Sequence, residues 1–481
     1  MPSLLVIVVL ILTALAEDQS IQEPSSTPEI IEKDDQLLRR LYPVWTPTPP
    51  DTRFELNKLI LTKHINEGDI EEAQRLAKVD LGPLESYAGY LTVEPKYNSN
   101  LFFWYFPAQN GNAEAPLILW LQGGPGATSL FGMFTEIGPY KYVDGTLDLM
   151  PYSWNQNYSL IFIDNPVGTG FSFTDSDEGY CTSQKQIADH LYKALIQFFT
   201  LFPHLQGPPF YITGESYAGK HIPSLAYEID KRNPTADLWI NLKGVAIGNG
   251  YTDPLTCISY SEYLYQLGLI DHQVKKYMEN IEKVGRSHIN KGNYLQAYFA
   301  WTTNLGLFTH FSNYTNLYHV LYPHAQVLNA EFVDYVQTAV ARQALHVGDA
   351  EFTSIGLVYS KLVPDLMTSG VEWVKPLLGK YKVMYYSGQL DIIVPYPNTV
   401  AMVSELGLLP SKREPWYVGK DLAGFKQVWG KNKLDLVMVR HAGHMVPTDQ
   451  PSWALDLLHW FINKEFTSTF EDPSKVLTSA T

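Results

Sequence analysis

The segment Gly214-Glu215-Ser216-Tyr217-Ala218-Gly219 follows the apolar run FYIT (210–213) and leads into a helix-like stretch. A serine flanked by glycines at a strand-to-helix turn is a nucleophile elbow. The glycines permit a tight turn, and the turn leaves the hydroxyl exposed. The positive end of the following helix then faces an oxygen on which negative charge develops. The chemistry this suits is acyl transfer through a serine ester, which needs a base for the hydroxyl and a third group to orient that base. A Gly-bounded turn can also be merely structural, so the partners decide.

In chains with such an elbow the acid and then the histidine follow the serine, on loops after later strands. The run VMYYS (383–387) leads through Gly388-Gln389-Leu390 to Asp391, and LVMV (436–439) leads to Arg440-His441-Ala442-Gly443-His444. His444 lies deeper in its loop, beyond the flexible Ala-Gly pair, and is preferred to His441 as the base. His190, His221 and His346 fall within helical patterns and read as packing or surface residues. An oxyanion needs two backbone donors. One is the N–H of Tyr217, after the nucleophile; the other is sought in Gln122-Gly123-Gly124-Pro125-Gly126, after the run LILWL (117–121), with Gly124 the choice. A phosphate-cradling loop is excluded, because no Gly-Lys-Ser/Thr follows.

These loops need a scaffold. Short apolar runs at 117–121, 160–164, 210–213, 244–248, 383–387 and 436–439 suit strands buried on both faces. Helical stretches at 184–202, 217–231, 331–346 and 451–463 alternate with them, so a doubly wound, largely parallel α/β sheet is expected. A further helical stretch is read at 53–79, and SYAGYLTV and LFFWYF read as adjacent antiparallel strands. Between about 255 and 330 the strand–helix rhythm breaks, which implies a mainly helical insertion. The expected division is a leader (1–16), a Glu/Pro-rich linker or pro-segment (17–50), one large domain (51–470) and a tail (471–481).

The chain has 481 residues, of which 45% are hydrophobic and 18% charged, so a disordered or coiled-coil protein is excluded. Its net charge of −15 argues against a nucleic-acid or anionic-membrane binder. Residues 1–16 form one apolar run ending Ala14-Leu15-Ala16, shorter than a membrane span and followed by an Ala-x-Ala cleavage pattern. A secretory route and no membrane attachment after cleavage are therefore expected. Asn313-Tyr314-Thr315 and Asn157-Tyr158-Ser159 are glycosylation acceptors, the first in the more irregular surroundings. Cys181 and Cys257 are too few for a disulfide framework or a closed zinc site, and a bridge between them is left open.

The blocks SYAGYLTV, WLQGGPG, FTEIGPY, SWN, IDNPVGTGFSF, GESYAGKHIP, IGNGYTDP, SGQLDIIVP and HAGHMVPTDQP run in family order from Ser86 to Pro451. In them the chain resembles the serine carboxypeptidases, and within these the vitellogenic-like branch. The resemblance implies an α/β-hydrolase fold and a lysosomal or secreted exopeptidase acting on peptide and protein C-termini, favoured at acidic pH and without metal or organic cofactor. Ser216, Asp391 and His444 match the family triad, and Gly124 and Tyr217 its oxyanion donors. Gln122, Gly123, Glu136 and Glu215 match its site for the substrate carboxylate. Gln122 stands where many members have Asn, and Ala127-Thr128-Ser129 lacks a cysteine that some carry. A glutamate can donate to a carboxylate only when protonated, and two neighbouring desolvated acids cannot both ionise cheaply, so one pKa should rise. An esterase or acyltransferase on the same triad and a non-catalytic binding protein are the rivals, and a homodimer is left open.

Overall fold

The computed structural model describes residues 57–324, 331–353 and 355–465. The expected leader, the linker and the C-terminal tail lie outside the described residues. Within them the principal sheet has 10 strands in the order β1-β2-β6-β3-β7-β8-β9-β12-β11-β10. These are β1 (Tyr87–Glu94), β2 (Ser99–Phe106), β3 (Leu117–Leu121), β6 (Ser159–Ile163), β7 (Phe210–Glu215), β8 (Leu242–Gly248), β9 (Lys382–Gly388), β10 (Glu414–Val418), β11 (Asp421–Trp429) and β12 (Leu434–Val439). The strands from β6 through β3, β7, β8 and β9 to β12 pair in parallel. Antiparallel strands close both flanks. A separate hairpin joins β4 (Tyr140–Val143) to β5 (Thr146–Leu149) across Asp144-Gly145, both at positive φ.

The continuous apolar runs form strands because both faces of the sheet are covered, and the period of two divides each run between two cores. Leu117, Leu119 and Leu121 join Ile161, Ile163, Ile212, Val245, Ile247, Val383 and Leu436 on one face. Ile118 and Trp120 join Leu160, Phe162, Tyr211, Met384 and Val437 on the other. Helix Gln184–Leu201 covers the first face through Ile187, Leu191, Leu195 and Phe198, one stripe at helical spacing. Helix Pro451–Asn463 covers the second through Ala454, Leu457, Leu458 and Phe461. Each such buried Leu, Ile or Phe side chain stabilises the fold by roughly 1.5–3 kcal/mol relative to exposure.

Two helical stretches break where the sequence reading ran them through. The 53–79 stretch forms helices Thr62–Glu67 and Ile70–Ala77, because Gly68 ends the first in the left-handed conformation at φ 76°. The 331–346 stretch forms Glu331–Val336 and Ala339–Ala344, because Thr338 is extended and its hydroxyl caps Ala341 N–H. The latter pair packs Phe332, Val333 and Val336 into the core of the second face. It belongs to the material inserted between β8 and β9, which runs beyond the expected 255–330 to helix Gly356–Leu366 and the turn at Lys375–Leu377. Helices His272–Asn290 and Tyr294–Ser312 form the insertion's own apolar cluster, which also takes in Tyr217, Tyr251, Ile392 and Ile393.

The end of β9 lies against the loop after β12. A Cβ on Gly388 would sit 1.8 Å from the Gly443 carbonyl oxygen. Gly388→Ala is expected to lower the unfolding free energy by about 2 kcal/mol or more, because backbone rather than a flexible side chain must yield. Thermal or urea unfolding of the variant measures it.

Candidate active site

Five adjacent parallel strands, β3, β7, β8, β9 and β12, deliver chemistry-bearing residues just past their carboxyl ends, the rim at which open α/β sheets bind ligands. Ser216 follows β7 at φ 73°, a left-handed conformation costing a non-glycine residue about 1–3 kcal/mol. The elbow is held by Ser216 N–H donating to Gly248 O (3.0 Å), and by Gly219 and Tyr251 N–H donating to Ser216 O (both 2.8 Å). Tyr217 then caps helix Ala218–Arg232, whose first turn is closed by Lys220 N–H donating to Tyr217 O (2.9 Å).

Asp391 and His444, 53 residues apart, meet with His444 Nδ1 at 2.8 Å from Asp391 Oδ2. Both are buried. The carboxyl also accepts Asn249 Nδ2 (2.6 Å), Ile393 N–H (2.9 Å) and Val394 N–H (3.2 Å). With Nδ1 donating to this acceptor, the other ring nitrogen, Nε2, is left as a base. The two loops are stitched by Leu390 N–H to Ala442 O (2.8 Å) and Gln389 N–H to Val439 O (2.8 Å). His444 N–H donates to Tyr318 O (2.7 Å), and Asp449 Oδ2 accepts Gly443 N–H (2.7 Å). His441 is exposed at φ 55°.

The loop after β3 lies directly on the elbow. A Cβ on Gly123 would be 2.5 Å from Ser216 Cβ and 2.7 Å from Tyr217 N, so only glycine permits the approach. Beside it Gln122, Glu136 and Glu215 are buried together. Trp120 Nε1 donates to Gln122 Oε1 (2.7 Å), which turns the amide nitrogen toward Glu215 Oε1 (2.7 Å) and Glu136 Oε1 (3.2 Å). Glu136 Oε2 meets no N–H or O–H donor among the described residues, while the two carboxyls stand within hydrogen-bonding reach of one another. That arrangement calls for a shared proton. Burial pushes the Glu136 carboxyl up to about 7. Burial, with the neighbouring Glu136 charge, pushes Glu215 well above the usual carboxylate range. Both acids shift, where the sequence reading required one.

The sequence profile of the family described as serine carboxypeptidase matches residues 78–464. The chain belongs to the serine carboxypeptidase family. The venom serine carboxypeptidase of Apis mellifera is 41% identical over 429 residues, 85% of this chain and 91% of that protein. The vitellogenic carboxypeptidase of Aedes aegypti is 42% identical over 437 residues, 85% and 90% of the two chains. A prohormone-processing carboxypeptidase from Saccharomyces cerevisiae, 24% identical, superposes with a TM-score of 0.72 over 81% of this chain and 96% of its own, and shares the α/β-hydrolase fold. This chain is therefore a serine-type peptide hydrolase.

Within this carboxypeptidase the structure brings Ser216, Gly123, Gly124 and Tyr217 to one rim with Asp391, His444 and the Gln122–Glu136–Glu215 group. Asn249, Tyr318 and Asp449 were not singled out in the sequence. Asn249 had a local signal, an Asn-Gly pair just past a strand. Tyr318 had none, lying 126 residues from His444. The disulfide left open does not form, and both cysteines are free and buried. Cys181 faces His190 Nδ1 (3.4 Å) within one sheet-face core, whereas Cys257 belongs to the insertion's cluster. Burial pushes each thiol up to about 12. Asn313 is exposed at the end of helix Tyr294–Ser312, and Asn157 is half-buried.

Because Glu136 is raised to about 7 in the fold, unfolding releases its proton between about pH 4.5 and 7, and stability falls as pH rises through that window. The contribution is complete below about pH 4.5 and lost above the folded value. Urea unfolding from pH 4.5 to 8 is expected to show a shallower decline for Glu136→Gln than for wild type.

Proposed function

We propose that this carboxypeptidase removes C-terminal residues through a Ser216–His444–Asp391 triad and an acyl-enzyme, with the scissile bond placed by a proton-bearing carboxyl pair. Ser216 Oγ attacks the last peptide carbonyl while His444 Nε2 accepts its proton. Asp391 holds the imidazole and stabilises its charged form. The N–H groups of Gly124 and Tyr217 receive the tetrahedral oxyanion, a contact worth about 2.7–4 kcal/mol per donor. His444 then protonates the departing amino acid, and water, activated by the same histidine, hydrolyses the ester.

The observation that carries this reading is the Gln122–Glu136–Glu215 group, buried against the elbow with its acids raised by desolvation. A terminal peptide carboxylate arriving there meets the Gln122 amide, the Gly123 N–H and a neutral glutamate able to donate. An ester or an internal peptide segment brings no charge for these donors to satisfy. Protonation of the pair makes acidic conditions favourable. The leader-like residues 1–16 and the names of the venom and vitellogenic relatives support a secretory-pathway enzyme, lysosomal or secreted. Asn313, exposed, is the better of the two glycan acceptors.

A peptide incubated with the enzyme as its free acid and as its C-terminal amide, followed by mass spectrometry, tests the reading. The free acid is expected to yield a ladder shortened one residue at a time, the amide to react at least tenfold more slowly, and Ser216→Ala to lose about 10³-fold or more. Equal rates for acid and amide would overturn the carboxylate site. The KM for the free acid is expected to rise as pH passes through about 7, with a smaller change for the amide.

A further inference from the structure

Behind the elbow lies a second polar group that the mechanism above does not use. Lys220, one turn into the elbow helix, is fully buried, and its ammonium is 3.1 Å from Asp365 Oδ2 on a side chain only 8% exposed. Asp365 lies at the end of helix Gly356–Leu366, in the material inserted between β8 and β9. The ammonium also donates to Asp365 O and to Thr368 Oγ1 (3.0 Å). Asp365 Oδ2 also accepts the Tyr217 hydroxyl (3.0 Å) and Gln184 Nε2 (3.1 Å). Gln184 Nε2 also reaches the Tyr217 oxygen at 3.2 Å, and its carbonyl faces His221 Nδ1 at 2.8 Å.

Tyr217 is thus gripped at its far end by a buried charge pair and an amide. Its ring is held edge-on by His221, at 5.1 Å between centroids, and stacked on Tyr251 at 6.2 Å. This ring belongs to the residue whose N–H stands next to the nucleophile. Turning the Ser216–Tyr217 peptide plane swings the Tyr217 side chain, so an anchored side chain resists that turn.

We propose that the Lys220–Asp365 pair is a positioning device for the oxyanion hole, fixing the Tyr217 N–H through the Tyr217 hydroxyl and coupling it to the inserted helices. This rests on the reading of Ser216 as nucleophile and Tyr217 as oxyanion donor. None of these side chains touches the reacting atoms. The anchor acts on the direction in which a main-chain donor points, so its effect belongs to the transition state and not to substrate binding. The two charges are mutually required: removing one alone leaves the other buried and unpaired, which threatens folding.

Two variants separate positioning from folding. Tyr217→Phe keeps the charge pair, the ring and the backbone donor and removes only the anchored hydroxyl. The double variant Lys220→Met/Asp365→Leu removes both charges together and fills their volume. Each is expected to lower kcat on a free-acid peptide about tenfold, equivalent to about 1.4 kcal/mol, with KM within about twofold of wild type. A peptide aldehyde supplies the second readout. Ser216 Oγ adds to its carbonyl carbon, the hydroxyl proton passes to His444, and the carbonyl π pair becomes the oxyanion in the hole. Aldehyde affinity is expected to weaken by the same factor as kcat, while binding of the shortened peptide product, which has no oxyanion, stays unchanged. Wild-type kcat and aldehyde affinity in both variants, whatever their melting temperatures, would overturn the proposal. Undiminished turnover by Ser216→Ala would remove the catalytic reading beneath it, a separate result.

Discussion

Two carboxyls and one amide share a buried space beside the elbow, and that space has room for only one electrostatic solution. Ionising both Glu136 and Glu215 there would set two unscreened like charges side by side in a medium that solvates neither. A retained proton relieves this. Trp120 holds the Gln122 carbonyl, so the amide presents its nitrogen and not its oxygen to the acids. The same burial that makes the pair costly to ionise makes it useful. A neutral acid is a hydrogen-bond donor, which a fully ionised pair would not offer.

The scaffold that produces this burial is the parallel run from β3 to β12. Its strands are apolar on both faces, so the chemistry-bearing residues sit at or past their carboxyl ends. Five neighbouring carboxyl ends then present an amide, a serine, an asparagine, an aspartate and a histidine in a row. Backbone hydrogen bonds between the loops, rather than long side chains, keep the register: Ser216 to Gly248, Leu390 to Ala442 and His444 to Tyr318. The left-handed Ser216 is tolerated because three main-chain bonds hold it from both sides. The segment between β8 and β9 contributes Tyr318, whose carbonyl accepts His444 N–H, and Asp365, whose carboxylate accepts the Tyr217 hydroxyl.

Much of this was legible because local pattern and tertiary role coincide in a buried parallel sheet. The six apolar runs became strands within a residue or two, and the glycine-flanked elbow together with loops past two later strands singled out Ser216, Asp391 and His444 as candidates. Features decided by contact across the fold were not legible. Whether Cys181 and Cys257 could meet depends on which core each enters. Lys220 and Asp365 lie 145 residues apart, with no local sign that one faces the other. The β4–β5 hairpin carries a local signal, Asp144-Gly145 between short apolar-polar alternations. β10 and β11 form a flank whose residues are mostly exposed or half-buried without alternation, so no apolar run marks them.

The retained proton itself can be observed. Infrared difference spectra between wild type and Glu136→Gln, collected without substrate at about pH 6 and again well above pH 8, distinguish a protonated carboxyl from a carboxylate. The account predicts a carboxylic-acid carbonyl band at the lower pH that shifts in heavy water and gives way to carboxylate at the higher pH. Carboxylate bands alone at pH 6, with both glutamates ionised in the folded enzyme, would contradict it.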